Sequence, residues 1–273
     1  MSRLLFALLT ACIWGGCATD AAVTADASVA PNPATPAAAA ATAHLIFLDR
    51  SASAYSESAY DYARAAVLSD LHQHTTPGDL LRVYGIQSNT ADNSPYYDER
   101  LPSLSVTPDE LAEYGALGGS SKKKFLAEKR KRYDRTVEMA LGHLARLSEA
   151  GLSSATQGWT DIDGLFALAR NAQRQEGGPV RLTALSDMVH STPEREMSKA
   201  RLRDAATAKT LGSDHAERLR ADASTRGLDW TSLSLTVYFP RLTDDVGAYP
   251  SLVRAYWEGF AEVAGMKPVS FHN

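Results

Sequence analysis

Three oxygen-bearing side chains follow the first apolar run of the folded region. The segment Asp49-Arg50-Ser51-Ala52-Ser53 supplies one carboxylate and two hydroxyls within five residues. Mg²⁺ prefers oxygen ligands of this kind in near-octahedral geometry, and it usually retains several waters. The spacing therefore indicates a divalent-cation site. Because the pattern is short, its position in the fold decides its meaning.

Strands and helices are predicted to alternate along the chain. Short apolar runs predict strands over 44–48, 80–86, 180–185, 233–239 and 269–271. Helical spacing of apolar residues predicts helices over 55–73, 123–149, 161–174 and 250–264. This alternation predicts one α/β domain with a doubly wound, mostly parallel sheet and helices on both faces. Such sheets bind ligands at the carboxyl ends of their strands, so chemistry is expected just after Leu48 and Leu185.

Two segments give weaker signals. Residues 89–121 are rich in Asn, Ser, Pro and Gly and predict no clear element, apart from a short edge strand over 104–106. Residues 194–224 predict a polar helix that is broken near Gly212. Between them, His190 is expected to be an exposed loop histidine, although it is close enough to Asp187 to line a site there.

The oxygen-rich segment resembles part of a motif in the von Willebrand factor A (VWA) domain family. Members bind a metal ion through Asp-x-Ser-x-Ser, a distant Thr and a distant Asp. Gly158-Trp159-Thr160-Asp161-Ile162 is similar to the family's second segment, and Leu185-Ser186-Asp187 is similar to the third, although Met188 stands where the family usually has Gly. The resemblance covers residues 44–271, with about 89–149 as a loop-helix insertion. It implies a VWA/Rossmann-like fold and these ligands for Mg²⁺, or for Mn²⁺ or Ca²⁺ in its place: Asp49, Ser51, Ser53, Thr160 and Asp187.

The resemblance also implies a function. In the family, an acidic side chain of a protein partner completes the metal shell, so we predict metal-dependent protein–protein binding and no enzyme activity. The sequence contains no Gly-x-Ser-x-Gly, His-Glu-x-x-His or P-loop pattern. One alternative is a VWA scaffold with a degenerate metal site that binds partners through residues 89–149. Another is a metal-dependent hydrolase.

Each motif residue also has a purely structural interpretation. Asp49 and Ser53 can cap the helix that follows them. Thr160 and Asp163 have the spacing of a capping box. Asp187 can simply sit in a turn. The metal hypothesis depends on the motifs occurring together at two neighbouring strand ends.

The first residues predict export. Arg3 precedes the apolar residues 4–9, and small residues then lead to Cys12 and Cys17. The pattern resembles a bacterial lipoprotein signal over 1–16 with Cys17 lipidated; Cys12 is the competing site, and a plain secretory signal is the remaining alternative. Residues 17–43 are rich in Ala and Pro and predict a disordered tether, whose last 26 residues reach at most about 90 Å. We therefore predict a membrane-anchored lipoprotein of the cell envelope, on its periplasmic or outer-membrane side.

Composition and charge exclude several classes. The 273 residues have a net charge of −4, which does not favour general nucleic-acid binding, and both cysteines lie before residue 20, so the folded region has no thiolate site. Residues 122–135 hold eight Lys or Arg against two acids, whereas residues 92–113 hold six acids against one Arg. The basic run fits anionic lipid head groups or an acidic protein, or it is solvated and paired with the acidic run.

Overall fold

A six-stranded mixed sheet forms the centre of the fold in the computed structural model. The structure describes residues 40–49, 57–102, 109–110, 112, 119–153, 159–192, 195–197, 201–238 and 249–272. The strands are β1 (Ala43–Asp49), β2 (Leu80–Ile86), β3 (Tyr97–Arg100), β4 (Val180–Leu185), β7 (Leu233–Tyr238) and β8 (Ser270–His272). They are arranged in the order β3-β2-β1-β4-β7-β8, and all pairs are parallel except β2 with β3. A separate two-stranded hairpin consists of β5 (Ser191–Thr192) and β6 (Arg195–Glu196).

Helices cover both faces of this sheet. They are α1 (Glu57–His74), α2 (Gly119–Ser153), α3 (Asp163–Glu176), α4 (Ala205–Ala221) and α5 (Tyr249–Ala264). Leu45 and Phe47 of β1 belong to the core cluster that α3, α4 and α5 complete. Ile46 and Leu48 alternate to the other face, where they pack with residues of α1 and α2. The predicted α/β class, with a mostly parallel sheet covered on both sides, is confirmed.

The strand order creates a topological switch point between β1 and β4. From β1 the sheet extends through β2 to β3 on one side and through β4 to β8 on the other. In open α/β sheets the ligand crevice lies at the carboxyl ends of the strands at such a reversal. The parallel register pairs Leu48 with Leu185, so the next residues, Asp49 and Ser186, lie side by side at that edge.

The edge strand β3 was not predicted. It pairs antiparallel with β2, and only its first residue, Tyr97, is buried. Arg82 Nε donates to Asp98 Oδ1 at 2.9 Å and so ties the edge strand to its neighbour. The predicted edge strand over 104–106 falls outside the described residues. Edge strands carry polar residues because one side faces solvent, and this removes the apolar run that marks a central strand.

The predicted break at Gly212 is wrong, because α4 continues through this residue without interruption. A Cβ atom built on Gly212 would lie 1.9 Å from the backbone oxygen of Tyr256 in α5. On the opposite helix, a Cβ atom on Gly259 would lie 2.3 Å from the backbone oxygen of Lys209. The two glycines therefore allow the backbones of α4 and α5 to approach closely.

Among the side chains described for α2, those that attach the helix to the domain lie in its middle. Tyr133 and Val137 are buried with Leu101, and Ala140 packs in the cluster that contains α1. The Tyr133 hydroxyl donates to the backbone oxygen of Thr75 at 3.1 Å, just after α1 ends. The helix begins four residues before the predicted 123–149 and ends four residues after it. No helix in the described part of the chain is long and apolar enough to cross a membrane.

The close contact between α4 and α5 predicts opposite effects for two Gly-to-Ala substitutions. Gly212→Ala places a methyl group in the space of the Tyr256 carbonyl, and we expect a loss of about 3 kcal/mol or more in unfolding free energy. Gly142→Ala in α2 meets nothing within 4 Å, and we expect a gain of roughly 0.5–1 kcal/mol from helix propensity. Urea unfolding measures both values. Equal effects of the two substitutions would contradict this packing.

Candidate metal site

Asp49 ends β1 with its side chain buried against β4. The residue is 1% exposed. Ser186, fully buried at the first position after β4, donates its hydroxyl hydrogen to Asp49 Oδ2 over 2.6 Å. A carboxylate is costly to bury unless donors or cations compensate its charge. The Ser186 hydroxyl is one such donor, and it orients the Asp49 carboxylate at the switch point.

Asp187 and Met188 form a tight turn directly after Ser186. Asp187 is 4% exposed, and its Oδ1 accepts a hydrogen bond from the Val189 backbone N–H at 3.0 Å. This bond, from the backbone two residues later to the Asp187 side chain, is that of an Asx turn, so the turn interpretation of Asp187 is supported. This bond does not exclude metal binding, because a carboxylate has about four lone-pair sites with which it can also coordinate a cation.

Met188 adopts a left-handed backbone conformation with φ of 56°. A non-glycine residue pays a steric penalty there, of roughly 1–2 kcal/mol. Two hydrogen bonds hold it in place: its N–H donates to Ser186 Oγ at 2.8 Å, and its carbonyl accepts from Trp257 Nε1 at 3.0 Å. Its side chain is fully buried in the core. The position at which the VWA family usually has Gly is thus one whose backbone favours Gly, and side-chain burial offsets the strain of having Met.

The segment that contains Thr160 is bound by the loops after two different strands. Thr160 and Ser191 exchange both of their backbone hydrogen bonds, at 2.6 and 2.9 Å. The N–H of the next residue, Asp161, donates to the backbone oxygen of Gln87 at 2.9 Å. Gln87 follows β2 and Ser191 lies beyond β4, and these two strands flank β1. The segment is therefore tied to the chain that follows each of the two strands flanking β1, the strand that ends at Asp49.

Asp161 fixes this segment to the loop after β2. Its Oδ2 accepts from the Thr90 N–H at 3.0 Å and its Oδ1 accepts from the Gly164 N–H at 3.2 Å. Burial raises the pKa of Asp161 above its ordinary value, although these backbone hydrogen bonds favour the ionised form. A Cβ atom on Gly164 would lie 2.4 Å from the Ala91 nitrogen, so only glycine fits where the start of α3 meets this loop.

The capping hypothesis for Thr160 therefore needs correction. Asp161, one residue later, receives the hydrogen bond from the first turn of α3, and the two described bonds of Thr160 use its backbone. The Thr160 side chain is nearly buried. Trp159, directly before it, is 48% exposed.

The expectation of an exposed His190 is wrong, because the residue is 2% exposed. The Ile162 N–H donates to His190 Nδ1 at 3.2 Å, and His190 Nε2 lies 3.3 Å from Thr192 Oγ1. With Nδ1 accepting, the neutral ring carries its proton on Nε2. His190 thus joins the loop after β4 to the residue preceding α3.

A second buried histidine, His215 of α4, was missed in the sequence. It is fully buried, with Nε2 2.7 Å from Asp163 Oδ1 and Nδ1 2.8 Å from the Tyr256 hydroxyl. It therefore connects the first turn of α3 to α4 and α5. The available signal was its spacing: Ala208, His215 and Leu219 lie on one apolar helix face, where a histidine needs polar partners.

Three of the five predicted metal ligands lie in the described part of the chain, and the structure brings them to the same edge of the sheet. Asp49 ends β1, Asp187 follows β4, and Thr160 is bonded to the loop after Asp187. The other two, Ser51 and Ser53, fall outside the described residues, as does the predicted lipidation site Cys17. Among the described residues, no group of three or more His, Cys, Asp or Glu side chains is arranged to hold a metal ion. The predicted set is of a different kind, because it consists of two carboxylates and three hydroxyls.

The buried Ser186 hydroxyl predicts a measurable stability effect. Ser186→Ala removes one donor from Asp49 and leaves the Met188 N–H without its acceptor, so we expect unfolding free energy to fall by about 2–4 kcal/mol. The matched control is Ser234→Ala in β7, where the side chain is half-buried, and we expect a change within about 0.5 kcal/mol. Urea unfolding of both variants tests this. A similar small change in both would show that Ser186 does not organise the turn.

Comparison with known proteins gives no independent assignment. A scan against models of protein families finds no match for this chain, and a search of curated proteins finds none. The resemblance to VWA domains therefore rests on the residues of the three motif segments, and membership in that family remains a prediction.

Proposed function

We propose that this chain binds a divalent cation, Mg²⁺ by preference, and uses it to bind a protein partner at the cell envelope. The ligands are Asp49, Ser51, Ser53, Thr160 and Asp187. One observation supports the proposal: Thr160 and Asp161 are hydrogen-bonded to Ser191 and Gln87, which follow the two strands on either side of β1. This arrangement supports convergence of ligands that are more than 100 residues apart in the chain.

The proposed ligands leave the bound cation able to coordinate a further anion. Two carboxylates balance the charge of one divalent ion, and the hydroxyl ligands add no charge. Mg²⁺ in such a shell keeps bound water. An acidic side chain of a partner replaces a water and completes the coordination. The divalent charge also offsets the cost of burying Asp49 and Asp187, which are both less than 5% exposed.

An exposed aromatic side chain next to the proposed site supports protein binding. Trp159 is nearly half exposed beside Thr160. Tryptophan is enriched among the residues that contribute most to binding energy in protein interfaces. A partner that offers a carboxylate to the metal and an apolar surface to Trp159 gains from both contacts.

The nearby histidines favour binding over hydrolysis. A metal-dependent hydrolase needs a base within reach of a metal-bound water. His190 and His215 are both buried, and their ring nitrogens lie within 3.3 Å of polar groups in neighbouring loops and helices. We therefore assign them to holding the loops together and propose no catalytic role for them.

The cellular location follows from the N-terminal residues. A lipid on Cys17, or on Cys12, anchors the chain, and the tether up to residue 43 lets the domain search for partners near the membrane. The last residues of the predicted tether belong to the domain: β1 begins at Ala43, and the Thr42 N–H donates to Asp79 Oδ1 at 2.8 Å.

Calorimetric titration with Mg²⁺ tests the metal site. We expect one site per chain, and we expect Asp49→Asn and Asp187→Asn each to lower the affinity by about 100-fold, because removal of one carboxylate halves the compensating charge. The control is Asp214→Asn, which changes an exposed carboxylate of α4 and should leave the affinity unchanged. Absence of Mg²⁺ binding to the unsubstituted chain, or equal affinities in all three variants, would refute the metal claim and leave the degenerate-scaffold alternative.

Calorimetry also tests whether the bound metal has an open coordination position. The Mg²⁺-loaded chain is titrated with a short, otherwise uncharged peptide that contains one Glu, and with its Gln counterpart. We expect binding of the Glu peptide alone, and loss of that binding on addition of EDTA or in Asp187→Asn. Binding that survives EDTA would place the carboxylate elsewhere on the chain. Turnover of phosphate or carboxylic esters that depends on Asp49 would instead establish the hydrolase alternative.

A further inference from the structure

The N-terminal end of α2 carries a cluster of positive charge that the metal site does not use. We define the basic tip as residues 122–126, which include Lys122, Lys123, Lys124 and the apolar Leu126. The three lysines are exposed. Further along the helix, more exposed cations follow at Arg130, Lys131, Arg132 and Arg135. The tip is therefore the start of a basic surface that extends along α2.

The side chains of the basic tip are more exposed than those in the middle of α2. Leu126 lies one heptad before Tyr133 and hence on nearly the same face of the helix, yet it is 38% exposed whereas Tyr133 is 8% exposed. Among the side chains described for α2, Tyr133 is the first that is buried. Lys122 lies about 16 Å further along the helix axis than Tyr133. The tip therefore precedes the first buried side chain described for α2, and it has an exposed apolar side chain beside its charges.

The position of the lysines is unfavourable for the helix itself. A helix carries partial positive charge at its N-terminus, where acidic side chains stabilise it and basic ones destabilise it. The first turn of α2 contains no acidic residue, and three lysines follow within its first six residues. An anionic surface placed against this end is attracted by both the lysines and the helix dipole. Helix stability therefore does not explain their position.

Most other cations of this surface have local partners. Lys129 Nζ lies 2.8 Å from Glu110 Oε2, Arg130 pairs with Asp134, and Lys131 pairs with Glu128. These pairs reduce the net charge in the middle of the basic surface. The concentration of positive charge is consequently greatest at the tip.

We propose that the basic tip binds anionic phospholipid head groups at a bilayer surface. A layer of mobile head groups can gather around these exposed lysines without the shape complementarity that a folded protein partner requires. Lysines near such a surface bind its phosphates electrostatically, and Leu126 can enter the boundary between head groups and acyl chains. The predicted lipid anchor holds the domain within about 90 Å of a membrane, where even a weak contact is favoured by the high effective concentration. This inference does not depend on the metal site.

Vesicle co-sedimentation tests the proposal. The full chain with Cys12→Ser and Cys17→Ser cannot be lipidated. It is mixed with vesicles of phosphatidylcholine alone, or with phosphatidylcholine vesicles that contain roughly 30% phosphatidylglycerol by mole. Vesicles of phosphatidylcholine alone measure binding through the apolar residues 4–9, which is independent of lipid charge. We expect stronger binding to the anionic vesicles, with the difference removed by 1 M salt.

The decisive variant is Lys122→Gln, Lys123→Gln, Lys124→Gln. Each cation near an anionic leaflet contributes about fivefold to partitioning, so we expect a loss of about 100-fold in binding to the anionic vesicles at low salt. Its thermal unfolding midpoint should not fall, because the removed charges oppose the helix dipole. If the midpoint does fall, Lys124→Gln alone is used, with an expected loss of about fivefold.

The control removes three exposed cations elsewhere, in Arg201→Gln, Arg203→Gln, Lys267→Gln. Leu202, between the two arginines, packs in the core cluster on the face of the sheet opposite to α2. The control should retain the parent's vesicle binding. Equal losses in the two triple variants, or no preference for anionic vesicles, would overturn the proposal. Tighter binding to soluble polyglutamate or to DNA than to the vesicles, lost in the tip variant, would overturn it in favour of an acidic protein or a nucleic acid.

Discussion

The hydrogen bond from Ser186 to Asp49 organises the carboxyl end of the sheet. It joins the ends of the two central strands at 2.6 Å, and the same hydroxyl accepts from the Met188 N–H. The turn that follows depends on this contact, because Met188 adopts a left-handed conformation that its neighbours must enforce. Asp187 lies between these two residues, so its position is determined by the same pair of bonds. One serine thus orients the Asp49 carboxylate and holds the backbone beside Asp187.

Further contacts connect this turn to the helices on one face of the sheet. Trp257 of α5 donates to the Met188 carbonyl. His190 accepts from the residue before α3, and His215 of α4 lies between Asp163 and Tyr256. The loop after β4 is therefore bonded to the start of α3 and to α5, and α3 is linked to α4. Asp187 is thus part of a network that extends into the core, and cation binding at the proposed site would stabilise the domain.

The sequence pattern correctly predicted the strands that are buried along nearly their whole length. Strands over 80–86 and 180–185 agree with the structure to the residue, because continuous apolar runs between turn signals mark strands that are buried on both faces. The strand β3 escaped detection because three of its four residues are exposed and polar. Gly212 was interpreted through its low helix propensity, whereas its role is the close approach of α4 and α5, which depends on a helix distant in sequence. For the site, strand ends gave the positions of Asp49 and Asp187. The burial of His190 and the contacts of Asp161 depend on tertiary pairing that no local pattern encodes.

Anomalous diffraction from crystals of the full chain grown with Mn²⁺ tests the central claim most directly. We expect one strong peak at the end of β1, about 2 Å from carboxylate oxygens of both Asp49 and Asp187, with the hydroxyls of Ser51, Ser53 and Thr160 as the remaining protein ligands. A peak at another position, or Asp49 and Asp187 held by protein groups alone at saturating Mn²⁺, would contradict it.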